Sequence, residues 1–163
     1  MGVYDIRSKE EWQKILDDVC EEAGMPAALV DEKNTMMQVS GERNPLCSII
    51  RGKKESLSFI CGQTQQFMAE QAKSTREPVI DLCEAGLLKF VVPIFSGSDF
   101  KGSVTACGSC VPSEDIETFI ITKNTEIDES EISTLAERIA EIDQEEVKNL
   151  VRRLFRKLKK DAA

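Results

Sequence analysis

The run L-K-F-V-V-P-I-F at 88–95, the turn S-G-S-D at 96–99 and the run G-S-V-T-A-C at 102–107 decide the fold. Both runs are short and rich in Val, Ile and Phe, and Gly, Ser and Asp between them are turn formers, so the pair reads as two antiparallel strands. V-I-D-L at 79–82, directly after Pro78, adds a third strand upstream. Nearer the N-terminus, A-A-L-V at 27–30 and M-M-Q-V at 36–39 flank the polar turn Asp31-Glu32-Lys33-Asn34 and read as a hairpin. Five short strands with close turns predict one antiparallel sheet.

Helices surround these strands. Ser8 and Glu11 form an S-x-x-E capping pattern, and Trp12, Ile15, Leu16, Val19 and Cys20 follow at helical spacing until Gly24. Residues 45–51 read as a short helix, and 56–72, with Phe59, Ile60 and Phe67, as another. After the sheet, Asp128 with Glu131 opens a helix through Ile142. Asp143 with Glu146 opens a terminal helix over 143–160, whose Val147, Leu150, Val151, Leu154 and Leu158 form one stripe for docking or dimerisation. Helix, two strands, two helices, three strands and terminal helices give an α+β class, an antiparallel sheet of about five strands with flanking helices. The order resembles that of PAS- and GAF-type sensors, where helices close over a concave sheet face around a small molecule. At 163 residues and 41% apolar content, with no repeat or long linker, residues 1–163 form a single domain.

Charge and composition remove several function classes. Twenty-nine acidic against 21 basic residues give a net charge of −8, which repels phosphate backbones and anionic lipid, so no direct nucleic-acid partner is expected. The basic run Arg152, Arg153, Arg156, Lys157, Lys159 and Lys160 reads as favourable charge at a helix C-terminus. No stretch approaches the roughly 20 apolar residues of a membrane span, and MGVYDIRSKEEW lacks the apolar core of a signal peptide. A cytoplasmic chain without a membrane partner is expected. Histidine is absent, which removes the commonest general base and every Ser/His or Cys/His nucleophile. Asp81 and Glu84 beside Cys83 are the conspicuous proton-transfer candidates that remain, and a binding module is expected rather than an enzyme. Gly97, Gly102 and Gly108 are turn glycines, since the lysine and hydroxyl of a phosphate loop are missing.

The six cysteines then need an account. In a reducing compartment they are buried thiols, metal ligands or redox groups rather than a disulfide framework. Cys47, Cys61, Cys83, Cys107 and Cys110 are separated by 13, 21, 23 and 2 residues, so only the fold could assemble a shared site. The predicted elements put Cys47 in the short helix, Cys61 in the next, Cys83 after one strand and Cys107 at the end of another, bordering one cavity. Thiolates suit iron-sulfur clusters, zinc and other thiophilic metals, and four of them close a tetrahedral site. Free cysteines also serve as small buried apolar side chains, which suffices for Cys20 on the first helix. Cys107-x-x-Cys110 follows a strand and precedes Val111-Pro112, which is not the setting of a thioredoxin-like motif.

N-P-L-C-S-I-I-R at 44–51, Cys61, C-E-A-G-L-L-K-F-V-V-P-I at 83–94 and G-S-D-F-K-G-S-V at 97–104 together resemble the PocR sensory domain over nearly the whole chain. That family's members are PAS-like modules, usually fused to histidine kinases, cyclic-dinucleotide enzymes or DNA-binding output domains. The resemblance implies a signal-sensing domain for small organic compounds or a metal-containing group. Two departures stand out: Cys107-Gly108-Ser109-Cys110 lies where such domains commonly carry a glycine followed by glutamine, and no output domain follows the last helix, as in a standalone sensor or an excised piece. The expected ligand-binding residues are Cys47, Cys61, Cys83, Phe90 and Val92, and the expected metal ligands Cys47, Cys61, Cys83, Cys107 and Cys110. The cofactor would be an iron-sulfur cluster or zinc. The expected partners are a small-molecule or metal ligand, a signalling output protein and a second copy through the terminal helix. An iron-sulfur or zinc redox protein is the alternative.

Overall fold

The computed structural model describes residues 2–162, with side chains through Lys159, so the expected role of the Lys160 side chain lies outside the described residues. A short turn, α1 (Val3–Ile6), leads into α2 (Lys9–Ala23). The capping box forms as the sequence predicts: Ser8 Oγ accepts from the Glu11 amide at 3.1 Å, and Glu11 Oε2 accepts from the Ser8 amide at 2.7 Å.

The strands are β1 (Ala27–Asp31), β2 (Met36–Ser40), β3 (Val79–Leu82), β4 (Leu88–Ser96) and β5 (Asp99–Ser109), in the order β2-β1-β5-β4-β3 with every pair antiparallel. β5 begins three residues before the predicted start, because Ser96 already pairs with Asp99 and the turn needs only Gly97 and Ser98. Between β2 and β3 lie α3 (Pro45–Arg51), α4 (Lys54–Ser56), a π-helical turn (Leu57–Gly62) and α5 (Gln63–Thr75). The single helix predicted over 56–72 thus widens at its start into the wider hydrogen-bonding pattern that often marks functional sites.

The C-terminal region differs more. Helix α6 (Thr118–Thr125) has no counterpart in the sequence reading. Helix α7 (Glu129–Ala136) ends well before Ile142, because 140–142 turn back to pair with Cys110: the Cys110 amide donates to the Ala140 carbonyl and the Ile142 amide to the Cys110 carbonyl, each at 2.9 Å. Helix α8 (Gln144–Ala162) starts where Asp143 Oδ1 accepts from the Glu145 amide at 3.0 Å.

Strand register sorts the side chains onto two faces. Ala27 and Leu29 pair with Ala106 and Val104, which pair in turn with Phe90 and Val92. All six belong to the main core, with Trp12, Leu16 and Val19 of α2 and Val147, Leu150, Val151, Leu154 and Leu158 of α8. The apolar stripe of the terminal helix, expected for docking or dimerisation, packs on the core of its own domain. On the other face, Val79 and Val91 pack on Met68 and Ala72 of α5. A separate cluster of Leu46, Ile50, Ile60, Ala85, Leu87, Ile121, Ile132 and Ile139 joins α3, the π turn, α6 and α7 beyond the sheet. Met36 and Met37 are exposed on the edge strand β2. Among the described residues no helix is long and apolar enough to cross a membrane.

Candidate functional site

A cleft of about 230 Å³ opens between the α5 side of the sheet, the π turn and the end of α3. Ala28, Val30 and Thr105 line its sheet wall, Leu57, Cys61 and Gln65 its helical wall, and Met36 and Val39 the β2 side. Arg51, Cys61, Lys89 and Cys107 line this cleft and also a tight chamber of about 30 Å³, room for a water or two, walled further by Cys47, Cys83, Thr64 and Gly108. The chamber adjoins the cleft through these four shared residues.

Each of these four cysteines reaches the chamber from a different element. Cys47 sits in the first turn of α3, where Asn44 caps the helix: Asn44 Oδ1 accepts from the Cys47 amide at 2.8 Å. The Asn44 amide nitrogen also donates to the Gly108 carbonyl at 2.9 Å and to Cys47 Sγ at 3.3 Å, tying α3 to the end of β5. Cys61 lies in the π turn. Cys83 follows β3 in a turn closed by the Gly86 amide on the Cys83 carbonyl and the Cys83 amide on the Leu87 carbonyl, both 2.8 Å. Cys107 is a direct cross-strand partner of Lys89. The next pairing is Leu88 with Ser109, so Gly108, at φ +118°, is a bulge. A Cβ there would sit 3.3 Å from the Asn44 amide nitrogen and 3.6 Å from Cys47 Sγ, so the bare backbone lets α3 approach.

Burial dominates the acidity of these thiols. It pushes Cys47 up from 9.0 to about 12, with the nearby Cys107, Cys83 and Cys61 sulfurs adding to the rise. Burial pushes Cys83 from 9.0 to about 11, partly offset by the Leu87 and Ala85 backbone amides on its sulfur. Cys61 is raised by burial too, against the pull of Arg51, which bonds its sulfur, and of Lys89. At neutral pH these three are neutral thiols.

Of the expected ligand residues, Cys47, Cys61 and Cys83 meet at the chamber with Cys107. Phe90 and Val92 do not: both are fully buried on the opposite face, in the core under α2 and α8. The alternation that makes the run a strand also sends them away from the cleft. Cys110 lines neither cavity. It pairs through its backbone with 140–142, and burial with the Glu141 charge raises its thiol. Among the described residues no three Cys, Asp or Glu side chains are placed to hold one metal ion. Of the expected iron-sulfur or zinc ligands, Cys47, Cys61, Cys83 and Cys107 line the chamber and Cys110 does not. Asp81 and Glu84 are exposed and line neither cavity. The sequence reading missed Lys89, Arg51 and Arg43. A signal existed for Lys89, a lone charge inside an otherwise apolar strand run.

A five-stranded antiparallel sheet in the order β2-β1-β5-β4-β3, with α2 and α8 on one face and a helix-roofed cleft on the other, is a PAS/GAF-like α+β fold. Residues 5–159 match the family described as the sensory domain found in PocR, and the chain belongs to that family. A signal-sensing role comes with that membership. No curated protein matches the chain. Among solved structures it is similar to one provisionally described as an ICLR transcriptional regulator from Silicibacter sp. TM1040, with 13% identity over 84% of this chain and 68% of that one and a TM-score of 0.39, too low to speak for fold or function.

Proposed function

We propose that this PocR-family domain binds a small molecule in the cleft between the sheet and the π turn, with Cys47, Cys61, Cys83 and Cys107 as the thiol wall at its inner end. Binding is non-covalent and non-enzymatic, and its output is a change in the packing of α8 that a signalling partner reads.

The observation that carries the reading is the placement of the cleft. Concave, mostly apolar sites with a few convergent polar groups are where small molecules bind, and this one joins an apolar mouth to a tight chamber rimmed by Lys89, Arg51 and four sulfurs. The π turn forms one wall, in a pattern often kept for function at a cost in helix regularity. The sheet supports such a relay. Lys89 and Cys107 face the cleft, while their chain neighbours Phe90 and Ala106 pack in the core that holds α8. A ligand shifts α8 only to the extent that it binds one arrangement better than the other.

The test is a thermal-shift screen of small organic compounds on the wild-type protein and on Gln65→Trp. Gln65 is a half-buried α5 residue at the cleft, where an indole fills the opening without entering the core. Saturable stabilisation by a compound in wild type, lost in Gln65→Trp with unchanged far-UV circular dichroism, supports the cleft. Stabilisation that persists in the variant places the site elsewhere.

A further inference from the structure

The chain carries a net charge of −8, yet the residues lining the cleft and its chamber include Arg43, Arg51 and Lys89 and not one Asp or Glu. Local charge thus runs against the global charge at the one place where a ligand is proposed. Lys89 is the most telling of the three. It is only 8% exposed, on a central strand, and forms no ion pair or hydrogen bond with any described residue. Its ammonium is not among the buried side-chain nitrogens that lack a partner, so the stem is buried while the charge reaches the cleft, open to an anion that the protein itself does not supply. Nor do the sulfurs supply the missing anion, since burial keeps Cys47, Cys61 and Cys83 as thiols.

We infer that the ligand of this cleft is a small organic anion with an apolar body, its oxyanion head held by Lys89 and Arg51. This rests on the cleft being the ligand site. The inner end supplies the charge: the Lys89 ammonium as a point donor and the planar Arg51 guanidinium as a fork suited to a carboxylate or phosphate. Ala28, Val30, Leu57, Met36 and Val39 supply the apolar wall for the body. Arg43, exposed at the mouth, raises the local concentration of anions against the repulsion of the acidic surface. A neutral alcohol of the same skeleton fills the same wall but leaves Lys89 unpaired, so the head group discriminates.

The experiment titrates the wild-type protein with the straight-chain carboxylates from butyrate to octanoate, with the matching primary amides and with inorganic phosphate, at constant ionic strength. Calorimetry and thermal shift are the readouts. Carboxylates that bind and stabilise where their amides do not are the expected result; phosphate alone binding as tightly would assign the recognition to the head group by itself. Lys89→Met weakens carboxylate binding on the order of tenfold to a hundredfold, as loss of a charged hydrogen bond does. Lys89→Arg retains binding. Arg51→Gln, at the partly buried end of α3, supplies a second variant should Lys89→Met fold poorly, and it too weakens carboxylates against amides. Amides that match the acids while Gln65→Trp removes both would overturn the anion and leave the cleft standing. Carboxylate binding that survives Gln65→Trp would overturn the cleft itself, and no stabilisation by any carboxylate would overturn the inference.

Discussion

Lys89 on β4 and Cys107 on β5 are direct cross-strand partners, and so are the residues beside them, Phe90 and Ala106. The first pair faces the cleft and the second faces the core that α8 completes. Two adjacent rungs of one ladder therefore present the cleft on one face of the sheet and the core beneath the terminal helix on the other. Phe90 and Val92, expected at the ligand, lie on that core side of the sheet.

Replacing Cys83 with Ala removes a sulfur from the chamber wall without touching the main core. Compounds found to bind wild type in the thermal-shift screen should lose their stabilisation in Cys83→Ala, with the far-UV spectrum unchanged. Binding retained at wild-type strength would reduce the sulfur to filler.

The raised thiols have a pH signature. Between pH 9 and about 12 the folded protein holds Cys47 protonated while the unfolded chain, at its ordinary 9.0, releases the proton, and Cys83 does the same up to about 11. Their contribution to stability is full below pH 9 and falls as pH rises through those folded values. Urea midpoints measured from pH 8 to 11 should decline more steeply for wild type than for the double variant Cys47→Ala, Cys83→Ala. Parallel declines would mean that the two sulfurs are not shielded from water.

Gly86 holds the turn that aims Cys83. It has φ +85°, and a Cβ there would lie 2.5 Å from the Asp115 carbonyl oxygen. Gly86→Ala should cost about 1–3 kcal/mol, the scale of enforced left-handed backbone with a clash added. Urea unfolding reads this directly, and a loss below a few tenths would contradict the close approach of 115–117.

Leu154 is buried against the sheet from α8. Leu154→Ala should destabilise the protein by about 2–5 kcal/mol, as truncation in a packed core does. An α8 whose stripe were instead free for a partner would show a loss close to zero in equilibrium unfolding.

The sheet was legible because period-two alternation and turn residues leave a strong local trace: 79–82 matches β3 to the residue, and β1, β2 and β4 differ from the reading by one residue at one end. The 45–51 helix and the Ser8 cap were legible for the same local reason. What failed depended on tertiary context. Helix α7 stops early because 140–142 pair with Cys110, a partner 30 residues upstream of Ala140 that no local pattern announces. The π turn needs one residue more per turn than the spacing reveals. For the site, element placement puts four cysteines around one cavity, whereas the face on which each strand residue lies depends on the register. Alternation along β4 puts Phe90 and Val92 on the face opposite Lys89, in the core under α2 and α8.

The most direct test of the account is amide hydrogen exchange of the whole protein with and without the carboxylate that gives the largest thermal shift. The account predicts slower exchange in two regions at once, 88–92 with 105–109 beside the cleft and 150–158 in α8, and loss of both changes in Gln65→Trp. Exchange that slows around the cleft with α8 unchanged would contradict the relay, and slowing that leaves 88–92 and 105–109 untouched would contradict the site.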